Sequence, residues 1–260
     1  MPAEILLEAI DVSRRFGGLL AVDRASLTLA RGEVHALIGT NGAGKSTLVN
    51  VLSGEIAATG GRVRLAGRDV TRWPQPRRAR AGLGRSYQRT TIFPRATVFE
   101  NCRLTAQAHY QRAFALWSDA TRCRDSTRVA EQAIEHAALS AQTHRIAGTL
   151  SHGQKRQLEI AMCLATAPDV LLLDEPLAGI GAEETDRMLA LLASLAPGHA
   201  ILLVEHDMDA VFRIADRITV MVNGTVIATG EPDAIRANAD VQAAYLGEAW
   251  KAAETVGAET

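Results

Sequence analysis

The sequence has almost no net charge and very few lysines. It carries 28 basic and 29 acidic residues, which leaves a formal net charge of -1, and only three of the basic residues are lysines (Lys45, Lys155 and Lys251). A chain this balanced has no global field that would draw it to nucleic acid or to anionic lipid. Nucleic acid is therefore not an expected partner, and any partner must be recognised locally.

Cysteine is also scarce. Cys102, Cys123 and Cys163 are odd in number and far apart, and none belongs to a C-x-x-C pair. A disulfide framework needs paired cysteines, and a structural zinc site needs closely spaced ones. The three residues are therefore expected to be free thiols of a protein in a reducing compartment.

Long apolar runs are missing as well. No stretch approaches the ~18 apolar residues of a membrane-spanning helix, and the N-terminus lacks a basic region followed by an apolar one. The sequence therefore predicts a cytoplasmic protein that does not cross a membrane itself. Its 260 residues are enough for one large domain or for a core with a grafted subdomain.

Hydrophobic patterning divides the chain into an α/β core and a helical insertion. Four short β-type runs, at 5–12, 26–29, 34–38 and 62–66, surround one helical stretch at 45–52, which indicates a β-rich N-terminal edge. Residues 98–150 carry a helical pattern with no strand-like run. The runs at 170–173 and 200–204 are continuously apolar, as in parallel strands covered on both faces. Asn223-Gly224 predicts a type I′ hairpin that closes the core.

Residues 39–46 match the phosphate-loop motif G-x-x-x-x-G-K-[ST] between an apolar strand and a helix start. Glycines let successive backbone N–H groups face one anion, and Lys45 supplies a point charge to the β- and γ-phosphates of a nucleotide. A glycine-rich turn that binds nothing would leave Lys45 facing an unfavourable helix dipole. The predicted nucleotide contacts here are Gly39, Asn41, Gly42, Ala43, Gly44, Lys45, Ser46 and Thr47, with Ser46 also on magnesium.

An acidic pair, Asp174 and Glu175, ends the apolar run 170–173. Strands of doubly wound sheets present their carboxyl ends to ligands. Phosphoryl transfer needs one group for the magnesium shell and one to orient or deprotonate water. We assign Asp174 to the metal and Glu175 to the base; capping of the next helix is the alternative.

The segment Leu150-Ser151-His152-Gly153-Gln154 precedes a helical pattern and lies 23 residues before Asp174, counted from Ser151. It resembles the L-S-G-G-Q signature of ABC ATPases, with His152 in place of the first glycine. The resemblance implies a P-loop NTPase (ABC ATPase) fold, with ATP and Mg²⁺ as cofactors. It also implies that Ser151, His152, Gly153 and Gln154 meet the γ-phosphate of ATP held by a second subunit. An ordinary serine-capped helix is the alternative.

Three further residues occupy positions that the resemblance gives to functional groups. Gln88 is similar to the glutamine that touches magnesium and senses the membrane partner, and His206 to the histidine that contacts the γ-phosphate. Phe16, in a turn upstream of the phosphate loop, is similar to the aromatic residue that stacks on adenine. Core packing is the alternative for Phe16, and a simple surface pairing with Glu205 is the alternative for His206.

The resemblance extends to one branch of the family, the larger ATPase of branched-chain amino-acid importers; related transporters carry urea, short amides or aromatic acids. It is carried by the segment 16–22, the insertion 100–150, residues 205–208 and the tail 244–248. It implies an ATP-binding core at 1–88 and 166–230, a helical signature subdomain at 89–165 and a tail at 231–260. The implied partners are a second ATPase subunit, two transmembrane permease subunits and, indirectly, a periplasmic binding protein, at the cytoplasmic face of the inner membrane.

The chain departs from the family pattern at Gly181, where an acid or amide is usual, and at Ala182, where proline is common. The contact between subunits that this loop makes is therefore in question, and a heterodimer with a paralogous ATPase is expected. Two other classes stay open, an ABC ATPase of a lipopolysaccharide-type exporter and a non-transport ABC ATPase. The sequence shows neither a coiled-coil insertion nor a second cassette, which disfavours the non-transport class.

Overall fold

Two β-sheets of different kinds carry the fold in the computed structural model, which describes residues 4–87, 91–110 and 123–246. The strands are β1 (Ile5–Phe16), β2 (Leu19–Ala30), β3 (Val34–Gly39), β4 (Gly60–Leu65), β5 (Arg68–Asp69), β6 (Leu83–Arg85), β7 (Val170–Asp174), β8 (Ala200–Val204), β9 (Arg217–Val222) and β10 (Thr225–Gly230). The helices described are α1 (Lys45–Ser53), α2 (Gln75–Arg80), α3 (Val98–Tyr110), α4 (Arg124–His136), α5 (His152–Leu164), α6 (Ala182–Leu195), α7 (Met208–Ile214), α8 (Pro232–Ala237) and α9 (Ala239–Val241).

The central sheet has six strands in the order β10-β9-β3-β8-β7-β6, parallel except for the edge strand β10. Its strands are apolar on both faces because helices cover both faces. In β7, Val170 and Leu172 face the cluster that contains α1, whereas Leu171 and Leu173 face the cluster formed with α4, α5 and α6. All five residues of β7 and all five of β8 are buried. The predicted parallel core is confirmed.

The second sheet is antiparallel, in the order β2-β1-β4-β5, and it encloses α1 together with the central sheet. The C-terminal end of α1 is held by Arg78, which is only 1% exposed. Its guanidinium donates hydrogen bonds to the carbonyls of Val51 and Leu52, both at 2.7 Å, and burial lowers its pKa to about 10. The helix that follows the phosphate loop is thereby fixed at its far end.

Helices α3, α4 and α5 pack with α6 in one apolar cluster on the other face of the central sheet. The helical interpretation of residues 98–150 is confirmed over α3 and α4; residues 111–122 lie outside the described part of the chain. Within the described ranges, no helix is both long enough and apolar enough to span a bilayer.

The N-terminal sheet is more extensive than the sequence pattern predicts. Strand β1 continues to Phe16, and β2 begins at Leu19 and pairs with it there. Phe16 therefore ends a strand, and the prediction that it lies in a turn was wrong. Polar residues on the exposed face and register shifts along the pair hide the alternation that marks a strand. Helix α2 and strand β6 were not predicted, because both are short. In addition, α2 is rich in arginine and β6 contains a glycine.

Candidate functional site

The phosphate loop joins β3 to α1 and is wedged between backbone segments of other strands. Gly44 has a left-handed φ of 97°, and a Cβ added there would lie 2.3 Å from the carbonyl oxygen of Ala21. A Cβ added at Gly39 would lie 2.1 Å from the carbonyl oxygen of Met221. Neither position can carry a side chain without moving backbone, so the two glycines are required by packing as well as by the turn.

Hydrogen bonds tie this loop to the β9–β10 turn. The Gly224 N–H donates to the Ala43 carbonyl at 3.0 Å, and the Asp23 N–H donates to the Gly224 carbonyl at 2.8 Å. Asn223 and Gly224 have φ values of 49° and 83°, as a type I′ turn requires. The predicted hairpin is confirmed, and it forms part of the wall beside the phosphate loop.

Lys45 begins α1 and is held by the loop that precedes it. Its Nζ donates to the carbonyl oxygens of Gly39 at 2.6 Å and of Thr40 at 3.1 Å. Burial lowers the pKa of Lys45, while the nearby carboxylates of Glu175 and Asp174 act in the opposite direction. The loop therefore keeps one cation close enough to Glu175 and Asp174 for both carboxylates to act on it.

A cavity of about 560 Å³ opens over the phosphate loop. Its volume lies within the range of small-molecule sites, roughly 300–1,000 Å³. It gathers the loop, the start of α1, the end of β1, the start of β2 and one carboxylate. Its lining residues are Phe16, Leu19, Leu20, Ala21, Asn41, Gly42, Ala43, Gly44, Lys45, Ser46, Thr47, Glu175, Asn223 and Gly224.

Phe16 lies at the rim of this cavity with 44% of its surface exposed. The Arg14 guanidinium lies over the ring at 4.4 Å from its centroid. The ring is therefore not part of the hydrophobic core, and it offers an aromatic surface to a ligand in the cavity. The stacking role stays a prediction.

The two acids at the end of β7 differ in environment. Asp174 is 6% exposed, and burial raises its pKa, against the opposing effect of Arg85. Glu175 is more accessible and takes a left-handed φ of 50°, which is unusual for a residue other than glycine. This turn in the backbone separates the two neighbouring carboxylates, so that Glu175 reaches the cavity while Asp174 stays buried.

His206 follows β8, and its exposed ring is near two carboxylates. Its Nδ1 is 3.9 Å from Oε1 of Glu175 and 3.9 Å from Oε2 of Glu205. Glu205 is fully buried and accepts a hydrogen bond from the Leu177 N–H at 2.8 Å. The description of Glu205 as a surface partner was wrong, because its carboxylate is buried and is held by the turn that follows β7.

The segment with the signature resemblance forms the N-terminus of α5. Ser151 is the N-cap: its Oγ accepts from the Gln154 N–H at 3.2 Å, and the Gln154 side chain accepts from the Ser151 N–H at 3.1 Å, which makes a capping box. The ordinary capping role is thus present. It leaves open a second role in binding an anion.

Two side-chain contacts connect this N-terminus to the segment after β7. Ser151 Oγ donates to Oε1 of Glu184 at 3.1 Å, and a ring nitrogen of His152, Nε2, lies 3.2 Å from the Ala178 carbonyl. Gly153 is covered by the Glu184 carboxylate, since an added Cβ would be 2.6 Å from its Cδ. The α5 N-terminus is 33 residues from Glu184 along the chain but in direct contact with it.

Phe16, Glu175 and the loop residues 41–47 line one cavity, whereas Gly39 packs against Met221. Ser151, Gly153 and Gln154 line another cavity at the start of α5, where His152 is the first helical residue. Gln88 lies outside the described residues. Sequence reasoning missed the wall formed by Leu19, Leu20, Ala21, Asn223 and Gly224. The Asn-Gly pair was visible in the sequence, but nothing local placed it beside the phosphate loop.

The phosphate loop lies between a parallel strand and a helix, and an acidic pair lies at the end of β7 in the same sheet. These two features together define a P-loop nucleotide-binding protein. Residues 22–178 match the model of the family described as ABC transporter. Residues 225–251 match the model described as branched-chain amino acid ATP-binding cassette transporter. The chain belongs to the ABC transporter family, and the predicted ABC ATPase fold is confirmed.

Similar curated proteins share nearly their whole length with this chain. The high-affinity branched-chain amino acid transport ATP-binding protein BraF of Pseudomonas aeruginosa is 41% identical over 251 residues, covering 94% of this chain and 98% of that protein. The protein LivG of Escherichia coli K12, which has the same descriptive name, is 42% identical over 253 residues with the same two coverages. The expected resemblance to this branch is confirmed.

Solved structures agree on the fold. A nucleotide-free ATP-binding cassette from an ABC transporter has a TM-score of 0.83 at 29% identity, covering 94% of this chain and 100% of that chain. The ADP conformation of an ATP-binding cassette has a TM-score of 0.81 at 29% identity, covering 94% and 99%. A dimeric cassette bound to ADP and phosphate shares the fold, with a TM-score of 0.73 at 22% identity.

Proposed function

We propose that this chain is the ATP-hydrolysing subunit of a bacterial importer for branched-chain amino acids. The observation that carries the proposal is the match along almost the whole chain to proteins named for that transport. It includes the C-terminal segment 225–251, which has its own family model. The cavity over the phosphate loop is suited to a nucleotide and not to the transported solute. In this proposal the solute is therefore selected by other subunits.

The cavity over the phosphate loop is the proposed ATP site. The phosphates lie on the backbone N–H groups of the loop and the N-terminus of α1, and Lys45 exchanges its two carbonyl acceptors for phosphate oxygens. Adenine stacks on the exposed ring of Phe16. Glu175 lines the same cavity and takes a proton from, or orients, the attacking water. His206 contacts the γ-phosphate beside it.

The residues proposed for magnesium fit that ion chemically. Ser46 offers a hydroxyl and Asp174 a carboxylate, and Mg²⁺ prefers oxygen ligands with its remaining positions filled by phosphate and water. Asp174 is almost completely buried, and burial raises its pKa. A bound cation would favour the ionised carboxylate at this place. Magnesium, when bound, neutralises charge on the β- and γ-phosphates, and Gln88 completes its proposed contacts.

Transport requires a second ATPase subunit in the proposed assembly. Ser151, His152, Gly153 and Gln154 present the N-terminus of α5 to the γ-phosphate of ATP held on the other subunit's phosphate loop. Two such interfaces close when both nucleotides are bound, and closure moves the permeases. Hydrolysis removes the bridging γ-phosphate, and the subunits separate.

The assembly also contains two membrane permeases and works with a periplasmic binding protein. We place this subunit at the cytoplasmic face of the inner membrane, as a peripheral protein. In this proposal residues 1–88 and 166–230 form the ATP-binding core, 89–165 the helical signature subdomain and 231–260 the tail. Gln88, at the border of core and subdomain, relays the nucleotide state to the permeases.

We further propose that the partner ATPase is a paralogue. Gly181 is exposed, its φ of -79° suits any residue, and nothing lies within 4 Å of an added Cβ. An acid or amide at this place would contact the opposite phosphate loop, a contact worth ~1–2 kcal/mol for a partly buried polar pair. A homodimer lacks that contact twice, whereas a heterodimer lacks it once.

Reconstitution tests the assembly and the direction of transport together. The tagged chain is purified from its own cells with the membrane proteins that it retains, inserted into liposomes and assayed for ATP-driven leucine uptake with the binding protein that co-purifies. We expect uptake that needs both the binding protein and ATP. The matched control is the same complex with Lys45→Ala, which assembles but does not take up solute.

Other outcomes would identify the alternatives. Uptake of urea, a short amide or an aromatic acid in place of leucine would refute branched-chain amino acids as the solute. It would still support the proposal that the complex is an importer. ATPase activity stimulated by lipopolysaccharide, with no binding protein recovered, would indicate an exporter. Failure to recover any permease would favour a non-transport ATPase.

A further inference from the structure

The N-terminus of α5 already holds an anion that belongs to the chain. The carboxylate of Glu184, in the first turn of α6, accepts a hydrogen bond from Ser151 Oγ at 3.1 Å. Both of its oxygens lie against Gly153, at 2.8 and 2.9 Å from the position of an added Cβ. The carboxylate therefore occupies the end of a 13-residue helix, where the helix dipole favours negative charge.

A carboxylate and a phosphate cannot share this place. Ser151 has a single hydroxyl proton, and it is donated to Glu184 while the oxygen accepts from the Gln154 N–H at 3.2 Å. A γ-phosphate that arrives from a second subunit needs the same proton and the same approach over Gly153. Two anions in contact at one helix end also repel each other.

We infer that Glu184 is an autoinhibitory residue: its carboxylate occupies the phosphate-binding end of α5 and must leave before the second subunit's γ-phosphate can bind there. This inference rests on the proposed role of Ser151 and Gly153 in the assembly. Within one chain, Glu184 competes with the γ-phosphate for the end of α5. This competition opposes closure of the two ATPase subunits until ATP is present on the partner.

Glu184 has room to leave. It lines a cavity of about 670 Å³ between α4, α5 and α6, next to Ser151 and Gly153. The side chain is half-buried at the cavity wall, so a change of rotamer can carry the carboxylate away from Gly153 without moving the helix. The neighbouring Glu183 does not line this cavity, and it pairs with Arg187 at the cavity wall.

Inorganic phosphate is the probe that tests the competition in the intact chain. Phosphate is titrated while the backbone amide resonance of Gly153 is followed by NMR in wild type, Glu184→Gln and Glu184→Ala. We expect the apparent phosphate affinity at Gly153 to rise roughly tenfold in Glu184→Gln, the effect of removing one charged hydrogen-bond competitor. In Glu184→Ala, the apparent phosphate affinity at Gly153 should rise at least as much.

The matched control is Glu183→Gln, which removes the same charge from the same turn of α6 without touching Ser151. Its phosphate affinity at Gly153 should equal that of wild type within about twofold, because an exposed charge acts only weakly through water. Adding Ser151→Ala to Glu184→Gln should abolish most of the gain. Thermal unfolding of each variant confirms that all are folded.

A second measurement follows the assembly. In a Glu175→Gln background with MgATP, sedimentation should show a lower dimer dissociation constant for Glu184→Gln than for Glu183→Gln. Equal dimer dissociation constants in the two variants would overturn the competition.

The inference and the proposed function fail in different ways. Equal phosphate affinities at Gly153 in all variants, or a weaker one in Glu184→Gln, would overturn the competition and leave the phosphate-binding role of α5 in place. No phosphate response at Gly153 in any variant, including Glu184→Ala, would refute that role and the inference with it. Loss of MgATP binding by the wild-type chain would refute the proposed ATPase function itself.

Discussion

Replacing Phe16 with alanine distinguishes a role of its ring in nucleotide binding from a role in core packing. Phe16 is 44% exposed and its ring lies under the Arg14 guanidinium, so one face is covered and the other is available to a base. Truncating a core phenylalanine costs ~3–5 kcal/mol of stability. Since almost half of this residue is in water already, we expect Phe16→Ala to lower the free energy of unfolding by less than ~1.5 kcal/mol.

Nucleotide affinity should suffer more. Stacking of a base on an aromatic ring is worth ~1–3 kcal/mol, which corresponds to a rise of about 5- to 150-fold in the dissociation constant for ATP. Adenine and guanine nucleotides should lose affinity alike, because every base has a π-face. Phe16→Tyr should bind as wild type does.

Calorimetric titration with MgATP, beside thermal unfolding of the same samples, measures both quantities. Leu19→Ala is the matched control, because Leu19 pairs with Phe16 across the hairpin, lines the same cavity and has no π-face. It should lose less affinity than Phe16→Ala. A variant Phe16→Ala that unfolds several kcal/mol more easily but binds ATP with unchanged affinity would refute the stacking role and restore the packing one.

Three further substitutions test the remaining assignments. Glu175→Gln should bind MgATP nearly normally and hydrolyse it at least ~100-fold more slowly, as loss of a general base does; single-turnover rates within a fewfold of wild type would remove Glu175 from that role. Lys45→Ala should abolish nucleotide binding in the same titration, since its cation compensates phosphate charge; an unchanged dissociation constant would place the nucleotide elsewhere. Gly181→Asp should strengthen ATP-dependent self-association of the Glu175→Gln chain in sedimentation. It should change monomer stability by only a few tenths of a kcal/mol, because Gly181 is the N-cap of α6 and glycine is a tolerable cap. A stable ATP-bound homodimer that forms without this substitution and is unaltered by it would contradict the heterodimer.

The parts of the fold that follow local rules were predictable from the sequence. The bounds of β8 agree with the apolar run 200–204, and α1 begins at Lys45 as the motif requires. The Asn223-Gly224 turn followed from the preference of those two residues for positive φ. Each of these features is decided by side chains within a few positions of one another.

Features decided by distant contacts were not predictable. Glu205 reads as a surface acid beside a histidine, yet its carboxylate is buried and accepts a hydrogen bond from the Leu177 N–H in the turn after β7. Arg78 lies in an arginine-rich stretch, and only the packing of α1 and α2 shows which arginine is buried. The contact of Glu184 with Ser151 joins two helices through a register that no short motif encodes.

The wedged phosphate loop has a consequence for the thermodynamics of binding. The hydrogen bond from the Gly224 N–H to the Ala43 carbonyl and the close approach of Gly44 to Ala21 fix the loop against the β9–β10 turn and β2. Little backbone entropy therefore remains to be lost when phosphate arrives. Nucleotide binding to this subunit should therefore approach rigid docking. Large heat-capacity or ordering signatures in a titration of the full assembly would then report closure between subunits, because the loop itself contributes little to either.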